Sequence, residues 1–399
     1  MAPPNVALVT GASGITGRHL VDALLRRRQG HDKDGQAWRV VTLARRDLEG
    51  LSAEDAKGVT QAGGQGCWRA RAPRVPPCQQ VKADLMDRAA VEKALRDAGV
   101  AGEGSVTHIF HCAYIMKDEP AEESEVNLRM LRSVVEAVEA TGGGGSLKHV
   151  YCMEGALAWR RSRWYGQQLH VPLKTPHRED DPPIPPPMFY FSLQGYLEER
   201  VIDGAAWSWS ALRPNPVCGF STGSFMNITT SIAVYASVCK ELGLPMRFPG
   251  GEPTYGCYIE MCDADVLAEA MVHCATTPAC ANRAFNVSNG DVFRWRDLWP
   301  KIAACFGLEV AQPMAVPLAK VMADKGPVWD ALVKKHGLQE MPMDRLATWA
   351  FADFVMSYPG DLFANHNALA RTGFHGMCLD TDEMFARLFR KMREQRVIP

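Results

Sequence analysis

Residues 5–17 read NVALVTGASGITG, and this stretch decides the fold of the chain. Its first six residues are an apolar run with the length of a short strand, and an amphipathic segment follows as far as residue 28. Between them the glycines recur as G-x-x-G-x-x-G, at Gly11, Gly14 and Gly17. A strand, a glycine turn and a helix in this order predict a dinucleotide site, because glycines let the backbone approach a pyrophosphate and the first helical amides bind it.

A second apolar run, residues 38–44, ends in Arg45 and Arg46. An acidic residue at this point favours NAD, whereas a guanidinium can bind the additional 2′-phosphate of NADP with two parallel hydrogen bonds. The arginine pair therefore predicts NADPH, with a solvated surface pair as the alternative. The residues of the glycine turn that we expect to contact the cofactor are Gly11, Ser13, Gly14, Ile15, Thr16 and Gly17.

Composition excludes several classes of protein. The chain has 399 residues, 47% of them hydrophobic, which is enough for a large core and excludes wholesale disorder. A formal net charge of −1 gives no reason to expect nucleic acid or a membrane surface as a partner. The 12 cysteines are scattered and form no C-x-x-C pair, so we expect reduced thiols, no metal site and a cytoplasmic protein without a secretory signal or membrane span.

Strand and helix patterns alternate through the first half of the chain. Near-continuous apolar strands separated by helices predict a parallel sheet that is covered on both faces. We therefore predict an α/β fold: a Rossmann-type, doubly wound parallel sheet, followed by a smaller, mainly helical substrate lobe. The expected divisions are residues 1–214 for the NADP-binding domain and 215–399 for the lobe, which returns to the main sheet. Residues 47–78 read as a surface insertion, and residues 175–187 as an extended proline-rich arm.

Further motifs give the chain a family resemblance. It resembles the progesterone 5β-reductase/iridoid synthase-like enone reductases, an atypical branch of the short-chain dehydrogenases/reductases, which use the longer glycine spacing found here. The resemblance covers nearly the whole chain and is densest at residues 284–295, AFNVSNGDVFRW. The other segments that carry it are residues 43–46 (LARR), 189–191 (FYF), 213–215 (RPN), 219–221 (GFS), 226–227 (MN), 234–236 (VYA), 263–265 (DAD), 349–351 (WAF) and 398–399 (IP).

The resemblance implies NADPH-dependent reduction of the C=C bond of an enone. In that chemistry a tyrosine hydroxyl holds the carbonyl oxygen as enolate character develops. Tyr190, within Phe189-Tyr190-Phe191, matches the catalytic tyrosine; the alternative is a buried structural tyrosine. No lysine lies four residues after any tyrosine, and Gln194 occupies that place after Tyr190.

The family takes its lysine from a Q-T-G-x-K-like segment after the fifth strand. Here that segment is Met153-Glu154-Gly155-Ala156-Leu157, so the lysine position holds leucine and the hydroxyl position holds glutamate. Three outcomes follow: Tyr190 works as a neutral donor, an arginine replaces the lysine, or the chain binds cofactor with little turnover. The arginines that could replace it are Arg160, Arg161 and Arg163, unless they form a solvated loop.

Other positions are carried over from the family by motif. Asp84 is expected to bind the adenine amino group, or else to cap a helix. Asn127 has either a water-linked role near the tyrosine or an exposed position on its helix. The remaining predicted cofactor contacts are Ala113, Tyr114, Pro214 and Val217, and the predicted substrate contacts are Phe351 and Met226, which could equally be core residues.

The predicted function is reduction of a small hydrophobic carbonyl substrate at its activated C=C bond with NADPH. Carbonyl reduction or other short-chain dehydrogenase chemistry is one alternative. It is less favoured, because proton donation to oxygen benefits more from the absent lysine. The other alternative is an NADPH-binding, sensor-like paralogue with little turnover. A homodimer is compatible with each of these functions.

Overall fold

A computed structural model of the chain describes residues 5–28, 37–45, 78–155, 174–182, 189–221 and 224–399. The strands are β1 (Asn5–Thr10), β2 (Trp38–Ala44), β3 (Cys78–Lys82), β4 (His108–His111), β5 (His149–Met153), β6 (Ser208–Pro214), β7 (Val217–Cys218), β8 (Met246–Arg247), β9 (Tyr258–Ile259), β10 (Cys262–Asp263), β11 (Arg283–Val287), β12 (Phe293–Arg294) and β13 (Val310–Ala311).

The helices alternate with these strands in the first half and dominate the second. They are α1 (Ile15–Arg28), α2 (Arg88–Asp97), α3 (Pro120–Val138), α4 (Phe189–Ile202), α5 (Ile228–Glu241), α6 (Glu252–Gly256), α7 (Ala264–Thr276), α8 (Trp295–Phe306), α9 (Leu318–Val321), α10 (Gly326–His336), α11 (Met343–Leu346), α12 (Trp349–Met356), α13 (Asn367–Ala370) and α14 (Thr381–Glu394). A π-helical turn, Glu139–Gly143, closes α3, and a 3-10 turn, Pro278–Cys280, follows α7.

Seven strands form one parallel sheet in the order β11-β6-β5-β4-β1-β2-β3. Helices α2, α3 and α4 bury apolar side chains on one face, and α1 and α7 on the other. The strands are apolar at nearly every position because both faces are covered. The strand order reverses between β1 and β4, and at such a point a crevice opens at the carboxyl ends of the strands. The predicted fold class is confirmed.

The second half of the chain has its own core. Trp295, Trp299 and Trp329 are fully buried in it, together with Phe248. The same core contains buried residues of helices α5, α8, α10, α12 and α14, which form a lobe beside the sheet. Strand β11 returns from this half to pair with β6, so the chain crosses between the two parts more than once. The division of the chain at residue 214 stays a proposal.

Two predicted segments differ from the structure where it describes them. Strand β3 begins at Cys78, so this last residue of the predicted surface insertion belongs to the sheet, and residues 46–77 lie outside the described ranges. The proline-rich arm is not extended throughout: the Asp181 amide donates to Arg178 O at 3.2 Å, which makes a turn. The Asp181 carboxylate accepts from the Arg178 amide at 2.7 Å and stabilises that turn. Residues 183–188 of the arm lie outside the described ranges.

Candidate active site

The glycine turn joins β1 to α1 under tight steric limits. Gly11 has a φ of +67°, and a Cβ there would lie 2.5 Å from the backbone of Cys112 at the end of β4. A Cβ on Gly17 would lie 2.3 Å from Gly11 O. The Gly14 amide donates to Gly11 O at 3.0 Å, which closes the turn. The backbone itself therefore forms the floor of a cradle at the start of α1, of the kind that binds a pyrophosphate.

A cavity of about 1160 Å³ extends from this turn to the helical lobe. It brings together most of the residues that sequence patterns and family resemblance select. Those that line it are Gly11, Ser13, Gly14, Ile15, Thr16, Gly17, Ala113, Tyr114, Tyr190, Pro214, Val217, Met226 and Phe351. One cavity therefore has both a phosphate-binding turn and an aromatic wall.

Two of the predicted cofactor residues do not line the cavity. Arg45 is exposed, directly after β2, the strand that neighbours β1. Asp84 is exposed after β3 and accepts a hydrogen bond from the Met86 amide at 3.0 Å. The helix-capping alternative for Asp84 is wrong, because the side chain of Asp87 caps α2. Arg46 lies outside the described ranges, and the phosphate and adenine roles of these residues stay predictions.

Tyr190 lies in the first turn of α4, among aromatic rings. The centroid of its ring is 4.0 Å from that of the Phe189 ring. The Phe189 ring in turn stacks on the Tyr114 ring, with their centroids 5.0 Å apart. The ring of Phe225 also stacks on Tyr114, with the two ring centroids 5.8 Å apart. A Cβ on Gly155 would lie 3.3 Å from Tyr190 Oη, so the hydroxyl lies against the backbone at the end of β5. Glycine at 155 thus leaves the space that the hydroxyl occupies.

The electrostatic surroundings of Tyr190 favour its protonated form. Burial raises the pKa of Tyr190 well above its usual range, and the carboxylates of Glu154 and Glu123 raise that pKa further. A neutral phenol remains a hydrogen-bond donor, so this environment suits a group that holds a developing negative charge without ionising first. Leu157 and the three arginines at 160, 161 and 163 lie outside the described ranges.

The charged residues behind Tyr190 form a buried ion pair that sequence reasoning missed. Arg213 Nε donates to Glu154 Oε2 at 2.7 Å, and both side chains are at most 3% exposed. The register of the sheet places them together, because Met153 pairs with Leu212 and the Glu154 amide bonds to Leu212 O at 3.0 Å. The sequence could have indicated this pair. Glu154 and Arg213 each follow one of two positions that pair on adjacent parallel strands, and such residues meet at the same edge of the sheet.

Comparison with known proteins shows the family. Residues 7–399 match the model of a PRISE-like Rossmann-fold domain. The chain belongs to the PRISE-like Rossmann-fold family. An (S)-8-oxocitronellyl enol synthase of Camptotheca acuminata is 30% identical over 400 residues, which cover 99% of this chain and 93% of that protein. A 3-oxo-Delta(4,5)-steroid 5-beta-reductase of Arabidopsis thaliana is 28% identical over 401 residues, with the same two coverages.

Solved structures show the fold of this PRISE-like chain more broadly. The UDP-glucose 4-epimerase of Thermus thermophilus, solved in complex with NAD, is similar with a TM-score of 0.58 at 18% identity. The match covers 97% of this chain and 99% of that one. The predicted family is confirmed, and its relatives place the chain among the oxidoreductases. No helix within the described ranges is long and apolar enough to cross a membrane, and the cytoplasmic location stays a prediction.

Two further polar groups shape the PRISE-like site. Tyr114 Oη donates to Glu123, a buried carboxylate on α3 that also lines the cavity. Asn127 is fully buried, where its amide donates to Ile115 O at 2.8 Å and accepts from the Ile115 amide at 2.9 Å. The exposed-helix interpretation of Asn127 is therefore wrong: its side chain holds the loop that follows β4 and carries Tyr114.

The helical lobe is joined directly to the glycine turn. Ser221 Oγ donates to Ser13 O at 3.0 Å, and the Phe220 amide donates to His19 Nε2 at 3.3 Å. His19 Nδ1 lies 2.7 Å from a carboxylate oxygen of Asp265 on α7. A nitrogen that accepts from an amide must be unprotonated, so His19 carries its proton on Nδ1. Residues 219–221, a family-like segment, thus connect the lobe to α1.

Proposed function

We propose that this protein reduces the C=C bond of α,β-unsaturated carbonyl compounds with NADPH as the reductant. The observation that carries the proposal is that Tyr190 and the glycine turn line one cavity, together with the aromatic rings of Phe189 and Tyr114. The names of the relatives agree with this reaction class, since they include a reductase of 3-oxo-Delta(4,5)-steroids. The overall change is enone plus NADPH plus a proton to saturated carbonyl plus NADP⁺.

The residues present suit a dinucleotide. The turn at Gly11 and Gly17 leaves no room for a Cβ, and Ile15 and Thr16 at the start of α1 line the cavity. Pro214 and Val217 would lie under the nicotinamide, and Ala113 would lie on its ribose side. When bound, the reduced nicotinamide supplies a hydride to the β-carbon of the enone.

The protein's own contribution is to hold the carbonyl. Tyr190 Oη donates a hydrogen bond to the substrate oxygen, and this bond strengthens as enolate charge develops there. Tyr114, Phe189 and Phe225 cover a flat apolar substrate, and Phe351 and Met226 close the lobe side. The α-carbon then takes its proton from water. We therefore propose a hydrophobic enone, steroid- or terpenoid-like or smaller, as the substrate class.

The test is NADPH oxidation by the purified chain with cyclohexenone, progesterone and 8-oxogeranial, and with the saturated ketone cyclohexanone as control. We expect consumption with enones and none with cyclohexanone. If the protein binds NADPH but does not oxidise it with any of these compounds, the proposal is refuted. That outcome would favour an NADPH-binding, sensor-like protein. Consumption with cyclohexanone would favour carbonyl reduction.

Tyr190→Phe keeps the ring and removes only the hydroxyl. We expect it to lower kcat by about 100-fold or more, the usual loss for one donor of this kind, with the dissociation constant of NADPH little changed. Tyr196→Phe is the matched control. Tyr196 lies on the same helix and is 5% exposed, yet it does not line the cavity. An equal loss of turnover and cofactor affinity in Tyr190→Phe would mean that the hydroxyl has another role.

A further inference from the structure

Arg213 connects three separate segments of the chain behind Tyr190. Besides the bond to Glu154, its Nη1 donates to Glu179 O at 3.1 Å and its Nη2 donates to Gln194 Oε1 at 3.1 Å. Gln194 lies one turn after Tyr190 on α4. The guanidinium therefore fixes the end of β5, the arm and the helix that carries the tyrosine relative to one another.

One carboxylate oxygen of Glu154 takes no part in this hydrogen-bond network. Arg213 binds Oε2, whereas Oε1 is buried and has no hydrogen-bond partner among the described residues. Glu154 lines the cavity, and the residue after it, Gly155, lies against Tyr190 Oη. The negative end of the buried pair is thus on the tyrosine side, and the positive end is held by β6, α4 and the arm.

Other groups near Tyr190 act in the same sense. Glu123 of α3 is a second carboxylate facing it, Tyr114 lies beside it after β4, and Cys152 of β5 is a buried thiol. The pKa of Tyr190 is raised by burial and by both carboxylates, and Arg213 is the one cation that the described residues place next to Glu154. A tyrosine in these surroundings retains its proton.

We propose that Glu154 is a positioning residue that acts through Tyr190. Its carboxylate adds to the effect of burial in keeping the tyrosine hydroxyl protonated, so that the site holds an enolate oxygen and does not take the proton of an alcohol. This inference rests on the proposed reduction and deepens it. It explains how a site with a glutamate at this position selects C=C reduction over alcohol dehydrogenation, which needs a base at the tyrosine.

The test is the variant Glu154→Gln, which still offers an oxygen to Arg213 but removes the negative charge. Loss of that charge makes tyrosinate easier to form, so Tyr190 ionises at lower pH. We expect its ionisation, and with it the alkaline limb of the kcat profile, to move down by about one to three pH units. Glu154→Asp retains a carboxylate and is expected to restore most of the wild-type profile.

Glu198→Gln is the matched control. Glu198 is an exposed glutamate on α4 that accepts from Gln194 Nε2 at 2.8 Å, so it belongs to the same network outside the cavity. This variant should keep the wild-type pH profile. If Glu154→Gln does not fold, Glu154→Gln with Arg213→Gln removes both charges, and Tyr190 should still ionise at lower pH than in the wild type.

Ionisation of Tyr190 can be read without turnover. Ultraviolet titration of tyrosinate, taken as the difference between each protein and the same protein carrying Tyr190→Phe, isolates this one hydroxyl. An unchanged titration in Glu154→Gln overturns the inference, and so does an equal shift in Glu154→Asp. If the wild type does not consume NADPH with any of the enones, the proposed function fails. The tyrosinate titration still decides the role of Glu154 in that case.

Discussion

Replacing Gly17 with alanine tests the close packing of the glycine turn. Gly17 lies in α1 with an ordinary helical backbone, so alanine alone would stabilise the helix by about 0.5–1 kcal/mol. Its Cβ, however, would lie 2.3 Å from Gly11 O and 2.8 Å from Ala12 Cα, both of them backbone atoms. The turn would have to move by roughly 1 Å, and overpacking of this kind costs about 1–3 kcal/mol. We expect a net loss of folding free energy of about 1–2 kcal/mol.

The same displacement moves the amides that would bind the pyrophosphate. We expect the dissociation constant of NADPH to rise at least about tenfold, equivalent to about 1.4 kcal/mol. Gly14→Ala is the matched control for stability, because a Cβ there would meet only Gly11 O, at an ordinary 3.4 Å. Thermal unfolding and fluorescence titration of NADPH measure the two effects. A Gly17→Ala protein that unfolds at the wild-type temperature would refute the steric argument.

Three further predictions concern charge and buried polar groups. His149 is buried with its pKa lowered to about 3 by burial, so the folded state binds fewer protons than the unfolded state between about pH 6.5 and 3. Stability should therefore fall as pH falls through this window, and His149→Gln should reduce the pH slope of unfolding in denaturant. Tyr114→Phe removes the hydroxyl that donates to the Glu123 carboxylate and leaves it, among the described residues, only the backbone bond at Lys117. We expect a loss of about 1–3 kcal/mol in denaturant unfolding, which Glu123→Gln in the same protein should partly restore. Replacing Arg45 and Arg46 with alanine should weaken NADPH much more than NADH in parallel titrations; equal weakening would contradict the 2′-phosphate assignment.

Local sequence determines much of this fold and less of the site. The glycine spacing and the apolar strands predict the parallel sheet, because turn geometry and burial act within a few residues. The bounds of β2, residues 38–44, coincide with those of the second apolar run for the same reason. Family resemblance selects Tyr190, and the structure places it in the cavity.

The partners of Glu154 depend on contacts that are distant in the chain. The sequence alone indicates a carboxylate whose charge disfavours ionisation of Tyr190. It does not indicate the partner of that carboxylate, because Arg213 is 59 residues away in the chain. Only the register of β5 and β6 brings the two together. Asn127 is ambiguous in the sequence for a similar reason, since a polar residue on an amphipathic helix is read as exposed until the loop that it binds is known.

The way Arg213 is bonded restricts how this site can evolve. Each of its guanidinium nitrogens serves a different segment, so changing position 213 alone would leave Glu154 as an unpaired buried charge, which costs about 3–5 kcal/mol. Changing Glu154 alone to a cation would set two positive charges against each other. Positions 154 and 213 are therefore epistatic: the residue at position 213 decides whether a carboxylate, a neutral amide or a cation is tolerated at position 154.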